Sequence, residues 1–180
     1  MARAWTERPP WQRWLIVSGW LFLGLVVLLI VVGESEDASP EARAQELTDW
    51  TGDVQAAGAP CDAAVQGMIE GMQTLAAGGD GNAMTGYQAA YRVEQACKTA
   101  WRAMRDLETP AGLAAEAEQA AADAAETCAT SFFARGEMGE AVAAVYDGDL
   151  SPSAQTHAGE QIRSAGQLSL TCAAALEKLE

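Results

Sequence analysis

The sequence predicts an all-α chain: one N-terminal transmembrane helix, then an antiparallel, up-and-down four-helix bundle stapled by two disulfides. Three observations carry that prediction. An uncharged apolar run occupies residues 14–32. Ser-Pro and Thr-Pro pairs stand at the heads of long alanine-rich segments. Four cysteines fall one to a segment, each on a repeating apolar position. At 180 residues the chain is long enough for one domain with its own core.

The first element is WLIVSGWLFLGLVVLLIVV, Trp14 to Val32. As a helix it rises roughly 28 Å, close to the hydrocarbon thickness of a bilayer. Arg3, Arg8 and Arg13 precede it, while Glu34, Glu36, Asp37 and Glu41 follow. That asymmetry keeps the N-terminus cytoplasmic and exports the rest. Trp5, Trp11 and Trp14 stand where an aromatic belt meets the cytoplasmic interface. A cleaved signal peptide is the competing reading, but its apolar core runs about 7–15 residues and ends near an A-x-A site. Here the run is longer, and Ala42-Arg43-Ala44 lies well beyond it. The expected organisation is a cytoplasmic tail over 1–13, an anchor over 14–33, a linker and helical stalk over 34–57, and an exported bundle over 58–180. The expected location is the inner (plasma) membrane, with the C-terminal domain periplasmic or otherwise extracytoplasmic.

The formal net charge is −14, which disfavours nucleic acid and anionic lipid head groups as partners. Ser39-Pro40, Thr109-Pro110 and Ser151-Pro152 each read as a helix start, because the hydroxyl caps free N–H groups and a proline at the first position loses nothing. Asn82, after Gly78-Gly79-Asp80-Gly81, is a fourth start. Helix ends are expected near Ala77, Leu107 and Tyr146. Leu47, Trp50, Val54, Ala57, Cys61, Ala64, Met68, Gly71 and Leu75 form a heptad seam that keeps its register through Gly58-Ala59-Pro60, where a kink is expected. The second helix carries Tyr87, Ala90, Cys97, Trp101, Met104 and Leu107 on one side. The third aligns Ala121, Ala124, Cys128, Ser131, Met138 and Val142, and the last Ile162, Ala165, Leu168, Cys172 and Ala175. Alanine seams imply closely packed helices and a small core that benefits from covalent staples.

Exported cysteines in even number at core positions point to disulfides. In an antiparallel hairpin, two residues at equal height have their midpoint in the turn. The midpoint of Cys61 and Cys97 falls on Gly79, and that of Cys128 and Cys172 on Leu150, both in turns. The midpoint of Cys97 and Cys128 lies about three residues past the turn at Glu108-Thr109, a height mismatch of roughly 9 Å. A disulfide spans Cα separations up to about 7 Å. The expected pairs are therefore Cys61–Cys97 and Cys128–Cys172. A four-cysteine metal site is disfavoured, because no close CxxC pair exists and the two pairs sit at different heights.

Few other residues carry chemistry. His157 is the only histidine, which excludes His pairs and triads. With Met72, near the same end by topology, it forms a candidate for non-covalent haem ligation. The plainer reading is a core-filling methionine and a partly exposed histidine. Asp147-Gly148-Asp149-Leu150-Ser151-Pro152 begins like a calcium loop but has proline in place of the turn glycine, so a turn and cap explain it better. Arg135 stands on the third seam among apolar neighbours, with snorkelling past Phe132, pairing with Glu137 or Glu140, or contact with a bound anion as its available roles. Asp62, Asp80, Glu116, Glu118 and Glu126 read as solvated faces. Gly19 and Gly24 do not make a GxxxG motif.

No catalytic residue, metal or cofactor is expected. The function expected is that of a non-enzymatic accessory or interaction subunit of a membrane or envelope complex, held by its anchor and recognising a protein partner. An extracytoplasmic ligand-binding or sensing bundle is the alternative, and a non-covalent haem or metal carrier the second alternative.

Overall fold

The computed structural model describes residues 39–78 and 82–179. The expected tail and anchor, with Arg3, Arg8, Arg13, Trp5, Trp11 and Trp14, lie outside the described residues, as do Gly79, Asp80 and Gly81. The described chain is all α and contains four helices: α1 Pro40–Ala76, α2 Ala83–Asp106, α3 Ala115–Tyr146 and α4 Pro152–Glu177. Among the described residues no helix is long and apolar enough to cross a membrane.

Local chemistry explains most boundaries. α1 opens at Pro40, directly after Ser39. Asn82 caps α2 by accepting the Thr85 N–H at 2.9 Å. Ser151 caps α4 by accepting the Ala154 N–H at 3.2 Å, with Pro152 at the first helical position. These caps satisfy donors that the first helical turn leaves open.

The expected start at Thr109-Pro110 is corrected. α3 begins five residues after Pro110, at Ala115, and its N-cap, Ala114, makes no side-chain bond. Two facts account for this. Pro110 is buried, so its ring belongs to the core rather than to a solvent-facing first turn. Gly112 has φ +80°, a left-handed turn that no right-handed helix can pass through, and one that glycine adopts without the Cβ penalty. Glu116 and Glu118 in the first turn then complement the positive end of the helix in place of a capping hydroxyl.

α1 runs on through Pro60 as one helix of 37 residues. A mid-helix proline costs about 3 kcal/mol, and two neighbours offset it. Gly58 leaves room for the Phe132 ring of α3, whose nearest atom would stand 2.5 Å from a Cβ there. Cys61 is bonded to Cys97 of α2. Burial on α1 begins at Trp50 and continues through Thr51 and Val54, so packing starts seven residues before the expected end of the stalk at 57. From Pro40 to Asp49 the helix is exposed apart from half-buried Arg43 and Leu47.

The cysteines pair as Cys61–Cys97 and Cys128–Cys172, with Cα separations of 4.5 and 4.7 Å. Each bond staples one hairpin, α1 to α2 and α3 to α4. Sequence separations of 36 and 44 residues correspond to about 4 kcal/mol each in the chain-entropy account.

α3 is the central helix. It packs most extensively on α2 and α4, while α1 packs on α2 and touches α3 lightly. Twelve residues of α3 are buried, running from Ala121 to Ala143, more than a single seam supplies. The α2–α3 approach is close enough to bring backbones together. A Cβ on Gly139 would stand 2.5 Å from the Glu94 nitrogen and 2.8 Å from the Ala90 carbonyl oxygen. Nothing comparable joins α1 to α4, which do not pack broadly on each other. The circuit expected of an up-and-down bundle is thus open on one side.

Candidate functional site

The open side forms a groove. α1 and α4 are its walls, and α3 is its floor. Val65, Met68, Ile69 and Met72 project from α1, Met138 from α3, and Ile162, Ala165 and Gly166 from α4, around a cavity of about 590 Å³. The spacing explains why these residues meet. On α1, Val65, Ile69 and Met72 follow one another at four and three residues, beside the seam residue Met68, so the apolar stripe is wider than one seam. The extra width has no helix to cover it. Ile69 and Ile162 remain 41% exposed on the two rims, and each is large enough that such exposure leaves substantial apolar surface facing water.

One end of this cavity is closed by a polar crossbar built on Arg135. Its side chain rises from α3 with 11% of its surface exposed. Nε donates to Ser169 Oγ of α4 at 2.8 Å, and Nη1 donates to the Asp62 carboxylate of α1. Nη1 also lies 3.7 Å from Cys61 Sγ, and the guanidinium carbon sits 5.2 Å from the centroid of the Phe132 ring. Nη2 makes no hydrogen bond among the described residues. Ser169 in turn donates to its own helix at Ala165 O, 2.7 Å away. The crossbar therefore links two helices that otherwise stand apart. Beyond it lies a second, smaller cavity of about 320 Å³, which also reaches Gln55, Leu176 and Glu177.

This arrangement changes the sequence reading of two residues. Arg135 does snorkel against Phe132, but it pairs with Asp62 and not with Glu137 or Glu140. Those two glutamates, with Glu94, surround Lys98 at 3.7, 2.7 and 3.1 Å, and α3 meets α2 there through Gly136. The hydrogen bond to Glu140 leads in pushing the Lys98 ammonium above the ordinary lysine range. Asp62 keeps 62% of its side chain in solvent, yet it is the partner of a nearly buried cation rather than part of a plain solvated face. The pairing joins residues 73 apart in sequence, so no local pattern announced it. The available signal was adjacency: Asp62 follows seam residue Cys61, on the flank that faces α3.

The remaining candidates separate. Met72 is half-buried and lines the groove. His157 is exposed and takes no part in the lining. Among the described residues no group of three or more His, Cys, Asp or Glu side chains is placed to hold a metal ion. The turn before α4 is a turn and cap: the Ser151 N–H donates to Asp149 Oδ1 at 3.2 Å, and Gly148 has φ +111°. The Ser151 side chain, with that backbone bond, holds the Asp149 carboxyl below its usual range.

Chemically, the groove can bind and orient but offers no nucleophile beside a base. It is an apolar trough with one fixed cation and one solvent-facing anion at its polar end. No family model matches the chain, and neither curated proteins nor solved structures provide a match.

Proposed function

We propose that the chain is a single-pass, membrane-anchored extracytoplasmic module that works by binding, as a non-enzymatic accessory or interaction subunit of a membrane or envelope complex. The observation that carries this reading is the groove between α1 and α4, an uncovered apolar trough held open on two covalently stapled hairpins. Surfaces of this kind mark interaction sites on otherwise soluble domains. The uncharged run of residues 14–32, with arginines before it and acidic residues after it, supports the anchor. Disulfides persist in oxidising compartments, which is consistent with export.

Two measurements test the proposal. Reporter fusions at Glu180 should be active only when the reporter requires the extracytoplasmic side, and a cytoplasm-dependent reporter active there overturns the topology. Extraction in mild detergent should yield the chain with a stoichiometric protein partner. A chain that always runs alone defeats the accessory role.

A specific observation favours a second reading, that of a ligand-binding bundle. The 590 Å³ cavity lies within the range of small-molecule sites, about 300–1,000 Å³, and shares their pattern of apolar walls with a few convergent polar groups.

A further inference from the structure

The polar end of the groove restricts what can lie in it. We propose that the groove binds a single-chain zwitterionic amphiphile, with its acyl tail between α1 and α4 and a phosphate–ammonium head at Arg135 and Asp62. This inference rests on the ligand-binding reading of the groove and is independent of the anchor.

Three features fit that chemistry. The apolar section is elongated. Ten residues of α1 separate Asp62 from Met72, roughly 15 Å of helical rise, comparable to an extended medium-length tail. Its walls are mostly methionine and branched aliphatic side chains, with Gln66 and Gln73 also lining the α1 side; methionine adapts to a flexible chain better than to a rigid ring system. Gly166 on the α4 wall has nothing within 4 Å of where a Cβ would stand, so the trough is open there rather than filled by a neighbour.

Charge selects the head group. Arg135 is held in place by Ser169 and Asp62, and its Nη2 remains without a bond among the described residues. An oxyanion can approach that nitrogen without dismantling the crossbar, and a guanidinium suits phosphate oxygens. An amphiphile bearing only negative charge would bring it against Asp62 and against a chain of net charge −14. A head that also carries an ammonium turns Asp62 from a repulsive neighbour into a second contact. Because Asp62 is 62% exposed, its carboxylate is accessible to that cation from the rim.

The test uses the full chain in an alkyl maltoside, which offers a tail without a charged head. Lysophosphatidylethanolamine is titrated in and binding is read by native mass spectrometry and thermal unfolding. The expected result is one lipid bound per chain, with at least tenfold weaker binding for a fatty acid or lysophosphatidylglycerol of equal tail length. Arg135→Gln and Asp62→Asn should each weaken binding about tenfold, and Gly166→Leu, which puts a bulky side chain into the space open around a Cβ there, should abolish it. Circular dichroism and non-reducing peptide mapping establish that each variant is folded with both disulfides. Equal or tighter binding of the purely anionic lipids overturns the head-group assignment while leaving a ligand groove. Absence of any retained amphiphile overturns the ligand-binding reading as well. A dimer that Gly166→Leu dissociates assigns the groove to a second copy and defeats the proposal.

Discussion

The two sides of α3 are built from similar sequence yet pack in opposite ways. Toward α2 the helices touch backbone to backbone at Gly139, and Lys98 reaches Glu137 and Glu140 across the seam as well as Glu94 on its own helix. Toward the gap between α1 and α4, methionine and isoleucine stand around a cavity and one arginine spans it. The difference teaches that small residues close an interface only where both helices supply them. Where one wall is Val65, Ile69 and Met72, its width exceeds what the facing alanine and glycine can cover.

Four measurements would break or sharpen this contrast. The largest effect is expected at the staples, since both sides depend on hairpins of fixed height. Replacing Cys61 and Cys97 together by alanine should lower the unfolding free energy in denaturant by about 2–4 kcal/mol, and near-zero loss would mean that helix packing alone fixes the hairpin. Next is the tight side. Gly139→Ala forces a Cβ to within 2.5 Å of backbone atoms, which cannot rotate away, so a loss of about 1–3 kcal/mol is expected. The same substitution on the open side, Gly166→Ala, should instead stabilise by about 0.5–1 kcal/mol through helix propensity. If both glycines respond alike in the same denaturation assay, the contrast fails.

The third measurement concerns pH. The Lys98 pKa is raised in the folded state, so its contribution is fully present below the unfolded value near 10.5 and is lost as pH rises through the folded one. Lys98→Met should therefore cost at most about 1 kcal/mol at neutral pH, because its partners are partly solvated. The gap between wild type and variant should shrink above pH 10.5. The smallest effect is at Ser131, whose buried hydroxyl has no hydrogen-bond partner among the described residues. Ser131→Ala removes that unsatisfied group and should raise stability by up to about 1 kcal/mol.

The hairpin heights were legible because helical rise is nearly invariant. Midpoints at Gly79 and Leu150 were enough to select Cys61–Cys97 and Cys128–Cys172. Caps at Asn82 and Ser151 were legible for a similar reason, each depending on a few adjacent residues. Thr109-Pro110 failed because the fate of Pro110 depends on tertiary burial, which no dipeptide signal contains. The groove was not legible because a heptad seam does not tell which of its flanks a partner helix leaves uncovered. Val65, Ile69 and Met72, just off the seam of α1, were the trace it left in the sequence. Arg135 stands out in the sequence among apolar neighbours, but Glu137 and Glu140 on its own helix are the local counter-ions, and only the crossing of α1 over α3 selects Asp62.

The two disulfides also define how the chain carries load. Tension applied at Pro40 and at the end of α4 passes along α1 to Cys61, crosses to Cys97, follows α2 into α3, and crosses again from Cys128 to Cys172. Residues 62–96 and 129–171 are bypassed. Asp62, Met72, Arg135, Ile162 and Ser169 all fall inside those bypassed loops. A pull on the ends of the bundle would thus travel around the groove along covalent bonds, leaving its walls slack while the rest of the chain is taut.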